Sequence, residues 1–402
     1  MKAFPVAENV WWVGVVDWSV RNFHGYETNR GTTYNAFLII DEKITLIDTV
    51  KAPFFAEMRD RIASVIDPEK IDYIVSNHAE PDHSGALPAA VAAFKPEKVF
   101  ASTAGVAALE AYYGKGMPLE PVRTGESLSL GRNTLHFVET KMLHWPDSML
   151  SYLDGSKVLF SQDALGMHYA TSYLWADQCD RKIMEYEAKK YIANILLHLS
   201  NKVIATLDLL PGLGLDIDVI APDHGPLWRT PEDQQWIIDL YYRTAQQQWG
   251  KKALIVYHSM WGSTAAMAKE LMDGFREAGI EADLVSLDVE ERSSVATRVL
   301  DAGIVAVGSP TINNQMFPAV ADVLCYLRGL KPQRHIGFAF GSFGWSGEGA
   351  KQVNQALTDM GFEMPLPVLA ARYAPDAAVR EQAFAAGVEL GRLLKEKTTT
   401  QN

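Results

Sequence analysis

Apolar positions follow two rhythms along this chain. In the first, short β-rich runs at 10–16, 32–40, 44–50 and 71–76 alternate with stretches of helical spacing such as 53–66, which predicts mixed α and β structure. Asp154-Gly155, set between the apolar runs 150–153 and 158–160, predicts a two-residue type I′ turn. Antiparallel strands would then stand just before Asp163, so packed sheets fit better than one purely parallel sheet. A polar helix over 231–249 leads into Gly250-Lys251-Lys252, and the domain boundary is drawn there, dividing the chain into 1–249 and 250–402.

Beyond the boundary the alternation becomes regular. Strands are expected at 253–257, 282–287, 304–307, 336–340 and 368–371, and helices at 263–278, 295–302, 318–328, 349–360 and 376–395, followed by a polar tail over 395–402. Strands alternating one for one with helices predict a doubly wound parallel sheet.

Composition narrows the chemistry. With 402 residues, 48% of them apolar, the chain exceeds what one core usually organises, in keeping with two domains. A formal net charge of -12 disfavours nucleic acid and anionic membrane surfaces as partners. The two cysteines, Cys179 and Cys325, supply neither a disulfide framework nor a Cys-x-x-Cys pair. No run stays apolar for about 18 residues and no leader pattern opens the chain, so a cytoplasmic protein is expected.

The densest chemical signal is His78-Ala79-Glu80-Pro81-Asp82-His83, between the apolar run 71–75 and the helical run 84–94. Four potential ligands on a loop leaving a strand can converge, and imidazole with carboxylate is a donor mix that divalent first-row metals accept. His144, Asp163 and His224 each follow a strand-like run. A lone histidine of this kind is ordinarily a packed or surface group; the cluster is what distinguishes these. Four imidazoles and three carboxylates suffice for two metal ions if one carboxylate bridges.

In the second half, Ser259, Met260, Trp261, Gly262, Ser263 and Thr264 join the first strand to its helix. Hydroxyls and free N–H groups at a helix start make a neutral phosphate cradle, and without a Gly-Lys-[Ser/Thr] string it suits a terminal monophosphate. Two more polar loops follow, one with Ser309, Pro310, Thr311, Asn313 and Asn314, the other with Gly341, Ser342, Phe343, Gly344, Trp345, Ser346 and Gly347. In a 2-1-3-4-5 strand order these loops follow strands 1, 3 and 4, which are neighbours. Phe343 or Trp345 could stack on an isoalloxazine ring while Asn313 and Asn314 bond its edge, so the expected ligand is flavin mononucleotide (FMN).

His-x-Glu-x-Asp-His with later His, Asp and His resembles the metallo-β-lactamase fold, an αββα sandwich. Zinc hydrolases of that fold usually have histidine where this chain has Glu80, and the harder oxygen donor favours iron. Taken with Met142 to Ser148, Pro222-Asp223-His224-Gly225 and the three loops, the whole chain resembles the flavodiiron proteins, or A-type flavoproteins, in their minimal two-domain class. The resemblance implies a flavodoxin-like second domain. It also implies that His78, Glu80 and His144 bind one iron, Asp82, His83 and His224 the other, and Asp163 bridges them.

Family members reduce dioxygen to water, nitric oxide to nitrous oxide, or both. Two electrons from a diferrous pair and two from a reduced flavin match the four that dioxygen requires. The resemblance further implies head-to-tail homodimers, or tetramers built as dimers of dimers, that bring the flavin of one subunit beside the irons of the other. The external donor it implies is a rubredoxin, with a reduced deazaflavin (F420H2) as the alternative. His24 and Tyr191 are candidates for proton relay. Two other readings stand beside this one: a zinc hydrolase with an accessory flavodoxin domain, and an electron carrier with a structural metal.

Overall fold

A computed structural model of the chain describes residues 1–399. Residues 400–402 of the polar tail lie outside the described residues. The chain divides into two compact units, Met1–Tyr191 with Leu199–Tyr242, and Ile192–His198 with Arg243 onward.

The first unit is built on two sheets. One has seven strands in the order Phe4–Ala7, Val10–Trp12, Phe37–Ile39, Thr45–Ile47, Tyr73–Ser76, Lys98–Ser102 and Leu119–Val122. Its pairings are antiparallel up to Thr45–Ile47 and parallel beyond. The other has five, Ser127–Ser129, Thr134–Glu139, Met149–Leu153, Val158–Gln162 and Val219–Pro222, antiparallel except for the last pair.

Side chains alternate across the first sheet, as a two-residue period requires. Phe37, Ile39, Ile47, Val75 and Phe100 pack with Phe137, Met149, Leu153 and Phe160 of the second sheet. Leu38, Leu46, Ile74, Val99 and Ala101 face the other way, against Met58, Ile62, Leu87, Ala90, Phe94 and Leu109 of helices Phe55–Ala63, Leu87–Phe94 and Thr103–Tyr113. Burial on both faces is why these strands read as unbroken apolar runs.

Two of those runs are broken in the fold. The run 10–16 becomes Val10–Trp12 and Val15–Asp17, and 32–40 becomes Thr32–Tyr34 and Phe37–Ile39, because Val15–Asp17 leaves the large sheet to pair with Thr32–Tyr34. Gly14 stands at the break, where a Cβ would come 2.4 Å from the Tyr34 carbonyl oxygen. The hairpin at Asp154-Gly155 is also present, but not with the expected two-residue turn. Its strands end at Leu153 and resume at Val158, and the left-handed residue is Lys157, at φ 51°. The Asp154 carboxylate closes the longer loop by accepting N–H bonds from Gly155 and Thr134.

In the second unit five parallel strands stand in the order Ala282–Ser286, Lys252–Tyr257, Ala302–Ile312, Ile336–Phe343 and Leu369–Arg372, the 2-1-3-4-5 order expected. Helices Ser263–Glu277 and Ala377–Thr399 cover one face through Met267, Leu271, Phe275, Leu390 and Leu394. Arg292–Val299, Pro318–Leu330 and Glu348–Asp359 cover the other through Val295, Val299, Val320, Val323, Val353 and Leu357. The helix expected at 295–302 begins earlier, because the Glu291 carboxylate caps the Ser293 and Ser294 N–H groups, and Ala302 already opens the next strand. The helix expected over 231–249 ends at Ala245.

The short segment Ile192–His198 contributes Leu197 to the core of this unit, and Asn194 accepts a hydrogen bond from the Tyr326 hydroxyl. Among the described residues no helix is long and apolar enough to cross a membrane.

Candidate metal centre and flavin cradle

Each candidate ligand sits where a strand of the first unit ends or where a loop joins two of them. His78 and Glu80 follow strand Tyr73–Ser76, Asp163 follows Val158–Gln162, and His224 follows Val219–Pro222. His144 lies in the loop between Thr134–Glu139 and Met149–Leu153. Asp82 and His83 depart from the loop expected for them, since they occupy a short helix, Pro81–Ser84, opened by a proline at its first position.

The fold brings all seven together, and all seven are buried. Two groups without a shared member form, His78 with Glu80, His144 and Asp163, and Asp82 with His83 and His224, and a third, His83 with Asp163 and Asp223, overlaps both. Asp163 reaches both, one oxygen to each. Its Oδ2 lies 2.8 Å from His144 Nε2 and 3.6 Å from His78 Nε2; its Oδ1 lies 3.0 Å from His83 Nε2 and 3.5 Å from His224 Nε2. Glu80 Oε2 closes the first group, 3.1 Å from His144 and 3.2 Å from His78. Asp82 Oδ2 closes the second, 3.2 Å from His224 and 3.3 Å from His83.

The four Nε2 atoms converge, while the Nδ1 atoms of two of these rings are tied outward and that of a third faces a carboxylate. His78 Nδ1 donates to Asp147 Oδ2 at 3.0 Å, His224 Nδ1 to the Thr33 carbonyl at 2.6 Å, and His83 Nδ1 faces Asp223 Oδ2 at 3.5 Å. Such outer partners fix a ligand's tautomer and orientation.

Several atoms in this cluster have no hydrogen bond at all: both Asp82 oxygens, both His83 ring nitrogens and Asp163 Oδ1. Buried ionic groups without partners are costly, and cations among them would supply what the protein does not. Seven donors of mixed imidazole and carboxylate type fit a pair of irons.

The electrostatics agree. Burial works to raise Asp163, but the charge of His83 and a bond from His144 win and hold it well below the usual carboxylate range. For Glu80 burial again opposes, and bonds from His144, His24 and His78 hold it far down. Burial works to lower His78, His83 and His144, and the neighbouring carboxylates raise all three regardless.

Of the two relay candidates, His24 touches the cluster. Its half-exposed ring puts Nε2 2.6 Å from Glu80 Oε1, a bond that raises its pKa. Tyr191 is fully buried, its hydroxyl has no partner, and its ring centroid stands 5.2 Å from that of His168 and 6.3 Å from that of His224. Burial and then the Asp163 charge push Tyr191 well above the usual phenol range.

Sequence reading left four buried groups of this layer without a role. Asp147 also accepts the Ala79 N–H at 2.6 Å, and Asp48 accepts the Asn77 backbone N–H at 2.7 Å and its side-chain amide at 2.9 Å. Burial raises Asp48 to about 6 against the opposing charge of His83, and burial plus the Asp48 charge raises Asp223. His168 Nδ1 bonds Thr32 Oγ1 at 2.7 Å, and burial followed by the His224 charge drives its pKa well down. Asp147 and Asp223 did stand inside the quoted motifs; Asp48 and His168 carry no local signal.

In the second unit the three loops meet at the carboxyl ends of neighbouring strands. Gly262, at φ 85°, opens helix Ser263–Glu277 with no side-chain cap. Of the N–H groups beyond it, that of Ala265 reaches Ser259 Oγ at 3.3 Å. Thr264 Oγ1 lies 2.9 Å from Ser342 Oγ, so the first and third loops present adjacent hydroxyls. Gly341 allows the close approach behind them, since a Cβ there would stand 2.0 Å from the Ser309 carbonyl oxygen.

Thr311 Oγ1 accepts the Gly349 N–H at 3.0 Å, and Ser309 Oγ accepts that of Phe317 at 2.9 Å while donating to the Pro310 carbonyl at 2.9 Å. Asn313 and Asn314, both with positive φ, form the two-residue turn between Ala302–Ile312 and Gln315–Met316, and Asn314 Oδ1 accepts from Ser346 Oγ at 2.9 Å. Two indoles stand open, Trp261 at 92% and Trp345 at 87% exposure, with Met260 partly exposed beside Trp261. An uncapped helix start, neighbouring hydroxyls and free aromatic faces fit a flavin carrying one phosphate.

Comparison with known proteins follows the same division. Residues 32–225 match the family described as "ODP family beta lactamase", and residues 255–387 match "Flavodoxin". The chain is similar to the solved structure of the rubredoxin oxygen:oxidoreductase of Desulfovibrio gigas, at 43% identity and a TM-score of 0.97, covering 99% of this chain and 100% of that one. It is 44% identical to the nitric oxide reductase of Moorella thermoacetica over 88% of this chain and 89% of that protein. The flavodiiron protein of Giardia intestinalis superposes with a TM-score of 0.95 at 36% identity, over 100% of this chain and 98% of its own. A buried two-metal cluster, a flavin cradle and this likeness along nearly the full length converge: the chain belongs to the flavodiiron proteins, oxidoreductases that combine a diiron β-lactamase-like domain with an FMN-binding flavodoxin domain.

Proposed function

We propose that this chain reduces dioxygen to water or nitric oxide to nitrous oxide, with electrons from an external rubredoxin-type donor. The observation that carries this reading is Asp163, whose two oxygens face two separate groups of buried ligands. In it, His78, Glu80 and His144 would hold one iron and Asp82, His83 and His224 the other, with Asp163 serving both. When bound, the irons and FMN supply two electrons each, enough for dioxygen, while two electrons couple two nitric oxide molecules.

The chain's own residues do the rest. Asp147 and the Thr33 carbonyl hold the rings of His78 and His224 with Nε2 facing inward. Phe23 packs against His168 at 4.4 Å and His224 at 6.1 Å between ring centroids, and with buried Tyr26 and Tyr191 it keeps water from that side. Both reductions consume protons, and His24 stands between solvent and Glu80 with its basicity raised, ready to donate from Nε2 and recharge from outside.

In the second unit, Ser259, Ser263, Thr264 and the helix start would take the phosphate. Met260, Trp261, Gly262, the loop from Ser309 to Asn314 and the loop from Gly341 to Gly347 would frame the rest of FMN. A domain boundary near residue 249 and a head-to-tail homodimer belong to the same reading. Exposed Trp261 and Trp345 support the dimer, since a partner would cover apolar surface that water now meets. Free Cys179 and Cys325 support a reducing, cytoplasmic setting.

The test is metal and flavin analysis of the purified protein, then anaerobic reduction and separate mixing with each gas. Two irons and one FMN per chain, with rapid reoxidation by at least one gas, are expected. Zinc in their place, or indifference to both gases, would defeat the proposal.

A further inference from the structure

Behind His224, on the side away from the converging Nε2 atoms, the first unit contains a cavity of about 700 Å³ that takes no part in holding metal. Its volume falls in the range of small-molecule sites. We propose that it binds an uncharged, planar aromatic molecule with a hydrogen-bonding edge, and that its occupancy is felt at His224.

The walls argue for the ring. Trp12 and Trp175 line the cavity and are held rigid: Arg61, paired with Glu57 at 2.9 Å, lies over Trp12 at 4.8 Å, and Arg229, paired with Asp177 at 2.7 Å, lies over Trp175 at 4.7 Å. Trp18 and Tyr173 also line it yet remain 57% and 53% exposed, offering apolar faces that a flat ligand would cover. Rigid aromatic walls lose little entropy on binding.

Neutrality follows from the charges. Glu57 and Arg61 are the ionised side chains lining the cavity, and they neutralise each other. At the inner end the donors of Thr33 and Asn35 are taken by the Pro222 and Gly225 carbonyls, while each side-chain oxygen keeps a second lone pair, which calls for a donor on the ligand's edge.

The same inner end supports the metal ligand. Asn35 accepts from Trp12 Nε1 at 2.9 Å and donates to the carbonyls of Pro222 at 2.7 Å and Gly225 at 3.0 Å, the residues flanking Asp223 and His224. Thr33 Oγ1 accepts the Gly225 N–H at 2.7 Å, and its carbonyl accepts from His224 Nδ1 at 2.6 Å. A ligand that shifts Trp12 or Asn35 therefore shifts the backbone that aims His224. This coupling rests on the diiron reading; binding itself does not.

The probe is quinolinone, an uncharged bicyclic lactam, titrated by calorimetry into the holoprotein. One saturable site per chain with a Kd below about 1 mM is expected. Trp18→Ala and Tyr173→Ala, both at exposed positions, should each weaken binding at least about tenfold without changing the melting temperature. No saturable binding, or equal binding by both variants, overturns the site. Saturating quinolinone should also change the rate at which a chelator extracts iron from wild type but not from Trp18→Ala. Intact binding with an unchanged extraction rate overturns the coupling, whereas a protein that never holds two irons would instead count against the diiron assignment.

Discussion

The two units answer the same demand, holding a redox group, in opposite ways. The first gathers charged side chains from far-apart strands and buries them completely. The second leaves its cradle open, made of loops that follow neighbouring strands, with two indoles almost wholly in solvent. Metal ligation needs charge in a dry, fixed geometry and an outer layer to hold it there. A flavin brings its own large apolar surface, so backbone shape and a few hydroxyls suffice.

The widest separation of the two should come from Asp163→Ala. Losing the residue that serves both ligand groups should remove both irons and abolish turnover while bound flavin stays near one per chain; metal and flavin assays on the same sample decide it. His83→Ala should act in the same direction. Loss of flavin with iron retained would reverse the assignment of the units.

Buried histidines sharpen the contrast, because their shifts differ in sign. Carboxylates raise His78, His83 and His144 of the metal cluster, whereas His335, in the second unit, has only the Ala302 carbonyl for its Nδ1, and burial pushes it down to about 4. Unfolded, the same group titrates near the ordinary 6.5. Between these values the unfolded chain binds the proton and the folded one does not, so stability is complete above 6.5 and falls with pH through the window, by about 3 kcal/mol once below 4. His335→Gln should flatten that slope in urea midpoints taken from pH 7 to 4. A slope unchanged in the variant would assign it elsewhere.

Asp147→Asn should weaken iron binding by about 10–100-fold, the usual cost of an outer partner, with flavin unaffected. Iron loading of wild type should also fall as the medium is acidified, since the raised basicity of His78, His83 and His144 makes protons compete for the same nitrogens. Proton release on adding ferrous ion to the metal-free protein measures this directly. The smallest effect on the fold belongs to Trp345→Ala, which should change stability by less than about 0.5 kcal/mol because the ring is exposed, yet lower flavin affinity. Unchanged flavin binding would remove Trp345 from the cradle.

What could be read from the residues alone follows the same line. The strand order of the second unit was legible because helix and strand alternate one for one, and each loop there lies next to its strand in sequence. The seven convergent residues of the first unit were legible because four stand within six positions and the rest follow apolar runs. Their supports were not. Asp48 meets Asn77 across 29 positions, and His168 meets Thr32 across 136, through contacts that no local pattern encodes. The break at Gly14 escaped the apolar pattern because apolar residues continue on both sides, and the four-residue loop after Leu153 escaped it because Asp-Gly suits more than one turn.

The short stretch Ile192–His198 has a consequence for anyone who would dissect this protein. It precedes the last helices of the first unit in sequence, yet Leu197 is buried in the core of the second and Asn194 is bound to Tyr326. No single scission of the polypeptide therefore yields two whole halves. A fragment starting at Arg243 would be missing an internal plug, and recombining this flavin unit with a foreign metal unit would require transplanting seven residues from the middle of its neighbour.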